Sequence, residues 1–508
     1  MWIKVDCKAT RCRSSEQCTV VNGIQNCYPV SYGTCSASGD PHYTTFDGVR
    51  YDFQGTCIYQ FAGLCKKSDT LVDFLVLVQN ENRGSKVVSY VSAVQVKLFT
   101  YDLVIDRKYK DRIVLNGVLT NLPFVVENGK LSVYKQGYLA IIQTSFGLRV
   151  SYNWDSHVAV TLPSSYAGAV CGLCGNFDND KSNDLLMKNN QLTTKPTAFG
   201  NSWKVQDVPG CYEDDKGNCS KLAELQLRQN NQEGCGILKQ KNGPFRECHA
   251  KIDPEGPFQS CVYDVCFYEG RQDVICKMIA SYATLCQDAG ITIYPWRTSK
   301  FCSPVCPKNS HYAICASGCT PTCLSLSPPL GCKPQCSEGC ECDDCFILSG
   351  GDCVPISQCG CKYQDIYYKA GEVFFPNGVC SQQCVCSANG VVECKAFSCG
   401  PNEQCKMVDG VQKCQAVGSA RCSAAGDPHY MSFDGLAFDF QGTCTYTLTK
   451  TITKRDNLVP FSINVKNEKW GNRKVAVTKL VSIEVYGYNL LLQYEVRNKI
   501  MVSISKKY

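Results

Sequence analysis

No apolar run in this chain approaches the roughly 18 residues a membrane-crossing helix needs, so no span is expected. Lysine, arginine, aspartate and glutamate are interspersed rather than blocked. A formal charge of +6 over 508 residues therefore leaves no stripe on which a nucleic-acid backbone could lie, and nucleic acid is not an expected partner. GxSxG, HExxH and Gly-rich phosphate loops are absent, which argues against a turnover enzyme. Histidine is scarce, at five residues, and none stands at ligand spacing beside a CxxC pair, so zinc fits poorly. The opening residues, MWIKVDC, lack the apolar core of a signal peptide.

What the chain does have is cysteine, 39 of them, a density that marks disulfide-built extracellular proteins. Cytosolic redox buffers would keep so many thiols reduced, so the expected location is secreted and extracellular. A secreted chain without its own leader implies a fragment whose beginning lies upstream. At 508 residues it is also too long for one hydrophobic core, and several domains are expected.

An internal repeat organises the chain. Cys7, Cys12, Cys18, Cys27, Cys35 and Cys57 return as Cys394, Cys399, Cys405, Cys414, Cys422 and Cys444, always 387 residues later (422 − 35 = 387). Between 35–59 and 422–446, 18 of 25 positions are identical without a gap, which implies tandem duplication of a multi-domain unit. The second copy stops at Tyr508, equivalent to position 121 (508 − 387), inside a domain.

Within one period the texture changes three times. From about 70 to 162 the sequence reads as short alternating strands, such as LVDFLVLV and LRVSYNW, separated by NG and FG turns and free of cysteine. From about 219 to 302 helical spacing takes over: Cys276, Ile279, Ala280, Ala283 and Cys286 share one face, and Gly290 is placed to end the helix. From 302 to 414 cysteines fall every few residues among Pro, Ser and Gly. Too little apolar sequence remains there for a core, so bridges must hold the fold and little regular structure is expected.

These residues carry a resemblance. CSASGDPHYTTFDGVRYDFQGTCIY with CGLCGNFDNDKSND resembles the opening and closing of a von Willebrand factor type D domain. The helical segment is similar to the eight-cysteine C8 domain, CPKNSHYAICASGCTPTC with CVPISQCGC to the trypsin-inhibitor-like domain, and AGEVFFPNGVCSQQCVCSANGVVECKAFSC to the short E module. The resemblance implies a multi-domain, disulfide-rich fold with a β-rich type D domain, a small helical C8 domain and irregular cysteine-rich modules. The implied boundaries are 1–34 for the end of an E module, 35–212 for the type D domain, 219–301 for C8, 302–361 for the trypsin-inhibitor-like domain, 362–414 for a second E module and 422–508 for a truncated second type D domain. It also implies the pairs Cys35–Cys174, Cys57–Cys211 and Cys65–Cys171. Ile452 stands where the second copy would need the equivalent of Cys65, and Cys345 stands where the pattern prefers a residue such as glycine.

Two stretches carry chemistry. In GNFDNDKSND the oxygen-bearing Asn176, Asp178, Asp180, Asn183 and Asp184 crowd one loop, and Ca²⁺ wants six to eight oxygens, so calcium is the favoured ligand over a bare polar turn. The loop is no EF-hand, because Lys181 sits where that motif needs glycine. The resemblance implies that Asp47 completes the shell. In GDPH, Asp40 precedes Pro41 and His42, and the string recurs as Asp427, Pro428 and His429. The aspartate carboxylate can attack its own main-chain carbonyl to form a cyclic anhydride if His42 protonates the departing proline nitrogen. The competing reading is a tight turn with Pro fixing φ. The resemblance favours autocatalytic cleavage.

The remaining signals are weaker. CGLC at 171–174 follows β-rich sequence rather than opening a helix, so structural bridging is expected over redox chemistry. Asn218-Cys-Ser is the only glycosylation sequon. His157, His249 and His311 have no acid, nucleophile or second histidine at telling distance and are read as packing or surface residues. The function that the resemblance implies is a secreted structural or adhesive repeat protein of mucus or matrix, whose expected partners are extracellular mucin or matrix proteins, including covalent ones through the anhydride. The alternatives are a cell-surface or matrix adhesion protein of the zonadhesin and tectorin type and, less favoured, a protease inhibitor. LSLSPPLG, between Cys323 and Cys332, offers no Lys or Arg as bait for trypsin.

Overall fold

The computed structural model describes residues 12, 15–21, 24–83, 88–212, 234–268, 271–317, 320–326, 336–452, 458–471, 474–495 and 499–506. Asn218 and most of the LSLSPPLG loop lie outside them. One compact unit comprises Met1–Ser398 with Cys405–Lys413, and the other Cys399–Gln404 with Cys414–Tyr508.

In the first unit, two eight-stranded antiparallel sheets enclose one core. The first runs edge to edge through Phe124–Val126, Leu131–Gln136, Leu139–Thr144, Arg149–Tyr152, Val158–Pro163, β1 (Tyr32–Ser38), β2 (His42–Thr44) and β3 (Arg50–Asp52). The second runs through Val118–Asn121, Arg112–Leu115, Tyr101–Asp106, Ser89–Leu98, Phe74–Asn82, Ile58–Leu64 and Val170–Cys171, with Lys204–Gln206 also paired to Ile58–Leu64. Val133, Ile142, Val150 and Val160 from one sheet meet Phe61, Val76, Val94 and Leu103 from the other, all fully buried. The Asn116-Gly117 turn has positive φ at both residues, the mirror-image geometry whose twist suits a tight hairpin.

Strict alternation fails in Ser89–Leu98, whose first six residues are all buried. The outer face is covered there: the Tyr90 ring meets Tyr268 of the helical domain at 6.1 Å, and Arg83 lies over Tyr90 at 4.8 Å.

The helical domain centres on α1 (Glu255–Phe267) and α2 (Gln272–Asp288), stapled by Cys235–Cys261, Cys248–Cys286 and Cys276–Cys302. Ile279, Ala283 and Cys286 of the anticipated face are fully buried. Gly290, at φ +72°, ends α2: the Ile291 amide turns back to the Cys286 carbonyl at 3.0 Å, an arrangement that favours glycine at the left-handed position.

The expectation of little regular structure from 302 to 414 is corrected. Ser310–Ser317 pairs with Cys336–Cys342, Phe346–Ser349 with Asp352–Pro355, Cys361–Tyr363 with Ile366–Tyr368, and Gln382–Cys386 joins Val373–Phe374 to Val392–Ala396. Isolated hairpins are marginal in water, so their strands are short and their stability rests on bridges such as Cys342–Cys353 and Cys384–Cys394. These modules also pack on their neighbours. A Cβ at Gly137 would lie 2.3 Å from the Glu338 carbonyl oxygen, and buried Glu338 accepts from Trp296 Nε1 at 2.9 Å and Arg297 Nη2 at 2.6 Å. Asn121 Nδ2 donates to the Tyr367 carbonyl at 3.0 Å and to Glu372 Oε2 at 2.9 Å.

The second unit repeats the first strands: Ser423–Ala425, His429–Met431 and Ala437–Asp439 form one sheet, and five strands from Thr445–Lys450 to Lys499–Lys506 form another. Replacing fully buried Ile142 with alanine removes packed atoms between the first unit's two sheets. The expected loss is about 2–5 kcal/mol, checked by denaturant unfolding of the oxidised chain.

Candidate functional site

β1 ends at Ser38, Gly39 turns at φ +67°, and β2 begins at His42, so the GDPH string forms the tight turn between two paired strands. The turn is buried rather than displayed, with the Asp40 side chain at 0% exposure. Its carbonyl accepts from Gln54 Nε2 at 3.3 Å, and its amide donates to Asp264 Oδ2 at 3.1 Å. His42 is held from both sides: Nδ1 lies 2.7 Å from Asp52 Oδ1, and Nε2 lies 2.7 Å from both Asp264 Oδ1 and Asp40 Oδ1. Tyr263 stands edge-on to the imidazole at 5.8 Å.

This crowding sets the charges. Burial and the neighbouring charge of Asp264 hold the Asp40 carboxyl well above the usual carboxylate range. Burial alone would lower His42, but the charges of Asp40 and Asp264 outweigh it and raise the imidazole well above its ordinary value. The turn thus pairs an acid with a carboxyl group on either side of the Asp40–Pro41 bond.

The second copy has the same local pattern with less cover. His429 Nε2 lies 2.8 Å from Asp427 Oδ1, Nδ1 lies 2.6 Å from Asp439 Oδ1, and Gln441 Nε2 donates to the Asp427 carbonyl. His429 is 63% exposed and Asp427 44%.

The acidic loop meets the FDG turn at the other end of β2. Asp47 Oδ2 and Oδ1 accept the amides of Asp178 and Asn179 at 3.1 and 3.0 Å, and buried Asp184 accepts from Thr45 Oγ1 at 2.6 Å. Asn176 Nδ2 donates to Asp178 Oδ2 at 2.9 Å and to Asn183 Oδ1 at 2.7 Å. Asp180 Oδ1 accepts from the Ser182 amide and hydroxyl, and its Oδ2 accepts from Asn183 Nδ2 at 3.4 Å. The side chains of Asp47, Asn176, Asp178, Asn183 and Asp184 therefore gather about one loop, and Asp180 is joined to them through Asn183. Burial, opposed by the Thr45 hydrogen bond and reinforced by Asp47, pushes the Asp184 carboxyl up to about 7. Asn176 Oδ1 and Asp184 Oδ1 are buried without a hydrogen-bond donor. An all-oxygen set with two orphaned buried oxygens suits a hard cation.

Cys35 is bridged to Cys174, Cys57 to Cys211 and Cys65 to Cys171, so the two cysteines of CGLC leave in different bridges. Cys345 is exposed and unbridged at φ +71°, a left-handed position that glycine would occupy without strain. His157 is buried against Ser38 Oγ at 2.7 Å, and His249 Nε2 lies 2.8 Å from the Leu238 carbonyl. The fold does bring an acid to His311: Asp343, 32 residues on, pairs with it at 2.8 Å on the surface. The sequence reading missed Asp52, Gln54 and Asp264. The first two recur as Asp439 and Gln441 in the repeat, whereas Asp264 carries only the weak signal of an acid on the buried face of α1.

The von Willebrand factor type D domain matches residues 35–191 and 422–507, the C8 domain 234–303, the trypsin-inhibitor-like cysteine-rich domain 306–359 and the TILa domain 360–415. Human IgGFc-binding protein is 44% identical over 95% of this chain and 9% of its own length. Pig zonadhesin is 38% identical over 91% of the chain and 19% of its own, and mouse alpha-tectorin 33% over 92% and 22%. The chain thus spans between about a tenth and a quarter of these relatives. Among the described residues no helix is long and apolar enough to cross a membrane.

Burial lowers His157 to about 4. Its neutral buried form stabilises the fold above the unfolded pKa near 6.5, and that stability is lost as pH falls from there towards 4. His157→Gln is expected to flatten the fall in stability between pH 6.5 and 4, measured by urea unfolding across that range.

Proposed function

The chain belongs to the family of proteins built from von Willebrand factor type D, C8 and trypsin-inhibitor-like modules, and we propose that it is a secreted structural and adhesive segment of mucus or extracellular matrix. In this reading it binds Ca²⁺ and cuts itself once at Asp40–Pro41. The family is structural and adhesive rather than enzymatic, and the cut is a single turnover.

The observation that carries the cleavage reading is the turn itself, with the Asp40 carboxyl and His42 Nε2 2.7 Å apart in a buried site. An oxygen of the Asp40 carboxylate attacks the Asp40 main-chain carbonyl carbon. The C–N bond to Pro41 then breaks, and the proline nitrogen takes the proton from His42 Nε2 and leaves as a secondary amine. A five-membered anhydride remains on Asp40. Water opens it to the free acid, or an amine or hydroxyl of a neighbouring mucin or matrix protein takes the acyl group, leaving a covalent link.

Calcium would be held by Asp47, Asn176, Asp178, Asn183 and Asp184, with Asp180 contributing through its main-chain oxygen. Bound, it would neutralise the buried Asp184 carboxylate and tie the FDG turn to the acidic loop. Chelation is expected to lower the unfolding temperature of the secreted chain and to have little effect on Asp184→Asn, whose site is already broken. An unfolding temperature indifferent to chelator in both proteins would remove the cation from the proposal.

Because Cys35–Cys174 straddles the cut, fragments should separate only after reduction. The deciding experiment is a denaturing gel of the secreted chain held at pH 6 and 7.5, with and without reductant, beside Asp40→Ala. A short N-terminal piece seen only on reduction and missing from the variant is the expected result. An intact band in every lane would reduce GDPH to a turn.

A further inference from the structure

The two copies of GDPH separate what the type D domain supplies by itself from what it borrows. Asp52 and Gln54 hold the first turn, and Asp439 and Gln441 hold the second in the same way, so these contacts are intrinsic to the domain. Asp264 is not. It comes from α1 of the helical domain, 222 residues beyond His42, and both of its carboxylate oxygens are engaged at the turn: Oδ2 accepts the Asp40 amide at 3.1 Å, and Oδ1 lies 2.7 Å from His42 Nε2. One carboxylate therefore spans the scissile bond, gripping Asp40 before it by the backbone amide and His42, one residue past Pro41, by its ring.

The glycine of the motif records the same docking. A Cβ on Gly39 would stand 2.3 Å from Asp264 Oδ2 and 2.5 Å from Met278 Sδ of α2, so the helical domain sits where any side chain would go. At Gly426 the nearest atom to such a Cβ is in His429, at 3.4 Å. There the exposed His429 has Asp427 and Asp439 beside it and, among the described residues, no third carboxylate.

We propose that Asp264 is a positioning residue for scission at Asp40–Pro41, supplied by the helical domain, so that the reactive arrangement of the first motif is completed only when that domain is docked. The proposal rests on the self-cleavage reading above. Asp264 acts through its bonds to the Asp40 amide and the His42 ring. It fixes the Asp40 backbone against which the carboxylate must fold back, and it keeps the imidazole protonated and aimed along the bond. The groups facing His42 are Asp40 in its own turn, Asp52 on β3, and Asp264 and Tyr263 on α1; Tyr90 and Tyr268 lie near the two buried carboxylates.

The test follows cleavage of the full chain on reduced gels from pH 5 to 8, comparing the wild type with Asp264→Asn, which keeps the shape, and Asp264→Ser, which leaves room for water. The expected result is a rate at pH 7 lower by at least roughly tenfold in both variants, with the alkaline fall of the pH–rate curve moved to lower pH and the unfolding temperature nearly unchanged. In an Asp40→Ala background, which cannot cleave, ¹³C-histidine NMR should show His42 titrating at lower pH once Asp264 is Asn. Wild-type rates and an unmoved pH profile in the variants would overturn the proposal, as would a pH-independent loss that tracks a collapse in unfolding temperature or a His42 titration indifferent to Asp264. A wild-type chain uncut at every pH would instead sink the cleavage reading, and the proposal with it.

Discussion

Both candidate sites hang from one covalent constraint, the bridge between Cys35 on the first core strand and Cys174 at the mouth of the acidic loop. Five residues after Cys35 comes Asp40, and two residues after Cys174 comes Asn176. The hydrogen bonds around the bridge extend its grip: the Phe46 amide donates to the Cys174 carbonyl at 3.0 Å, and the Tyr51 hydroxyl to the Leu173 carbonyl at 2.5 Å. Closing a loop of this length removes about 5 kcal/mol of chain entropy from the unfolded state in the simplest account. The GDPH turn, the FDG turn and the acidic loop are thereby fixed in one frame before any ligand or neighbour acts.

Within that frame the sites use burial in opposite ways. At the acidic loop, carboxylates and amide oxygens are gathered with too few donors, an arrangement that gains from a cation. At GDPH, two buried carboxyl groups share one imidazole, so charge is balanced from inside the protein. Removing water from the second site makes each proton position matter more than it would on a surface, because the low-dielectric surroundings strengthen both attraction and repulsion. The exposed second copy, with the same residues in a similar turn, lacks that amplification.

Much of this was readable in the sequence, because the signals were local or repeated. The changes of texture followed from cysteine spacing and from strand and helix periodicity, the order of modules from the family resemblance, and Asp40, His42 and the acidic loop stood out as motifs. Asp52 and Gln54 were legible in principle, since the repeat returns them at 439 and 441. Asp264 was not: its role exists only through packing between residues 222 positions apart, and no period or motif marks such a pairing. The hairpins between 302 and 414 were missed for a different reason. Their strands are too short and too poor in apolar residues to show alternation, because bridges replace the core that alternation would have revealed. Ser89–Leu98 is the strand expected within 70–162, but its start is buried on both faces because the helical domain covers the one that would otherwise be wet.

The Cys35–Cys174 bridge also decides how the chain behaves under tension. A pull applied to residues on either side passes from one sulfur to the other and never enters the segment between them. At about 3.5 Å per extended residue, the 139-residue separation is roughly 480 Å of contour length that stretching cannot release. In the oxidised chain that length stays locked, whether or not the backbone at 40–41 is whole, and only a reductant that opens the bridge lets the sandwich pay out as slack.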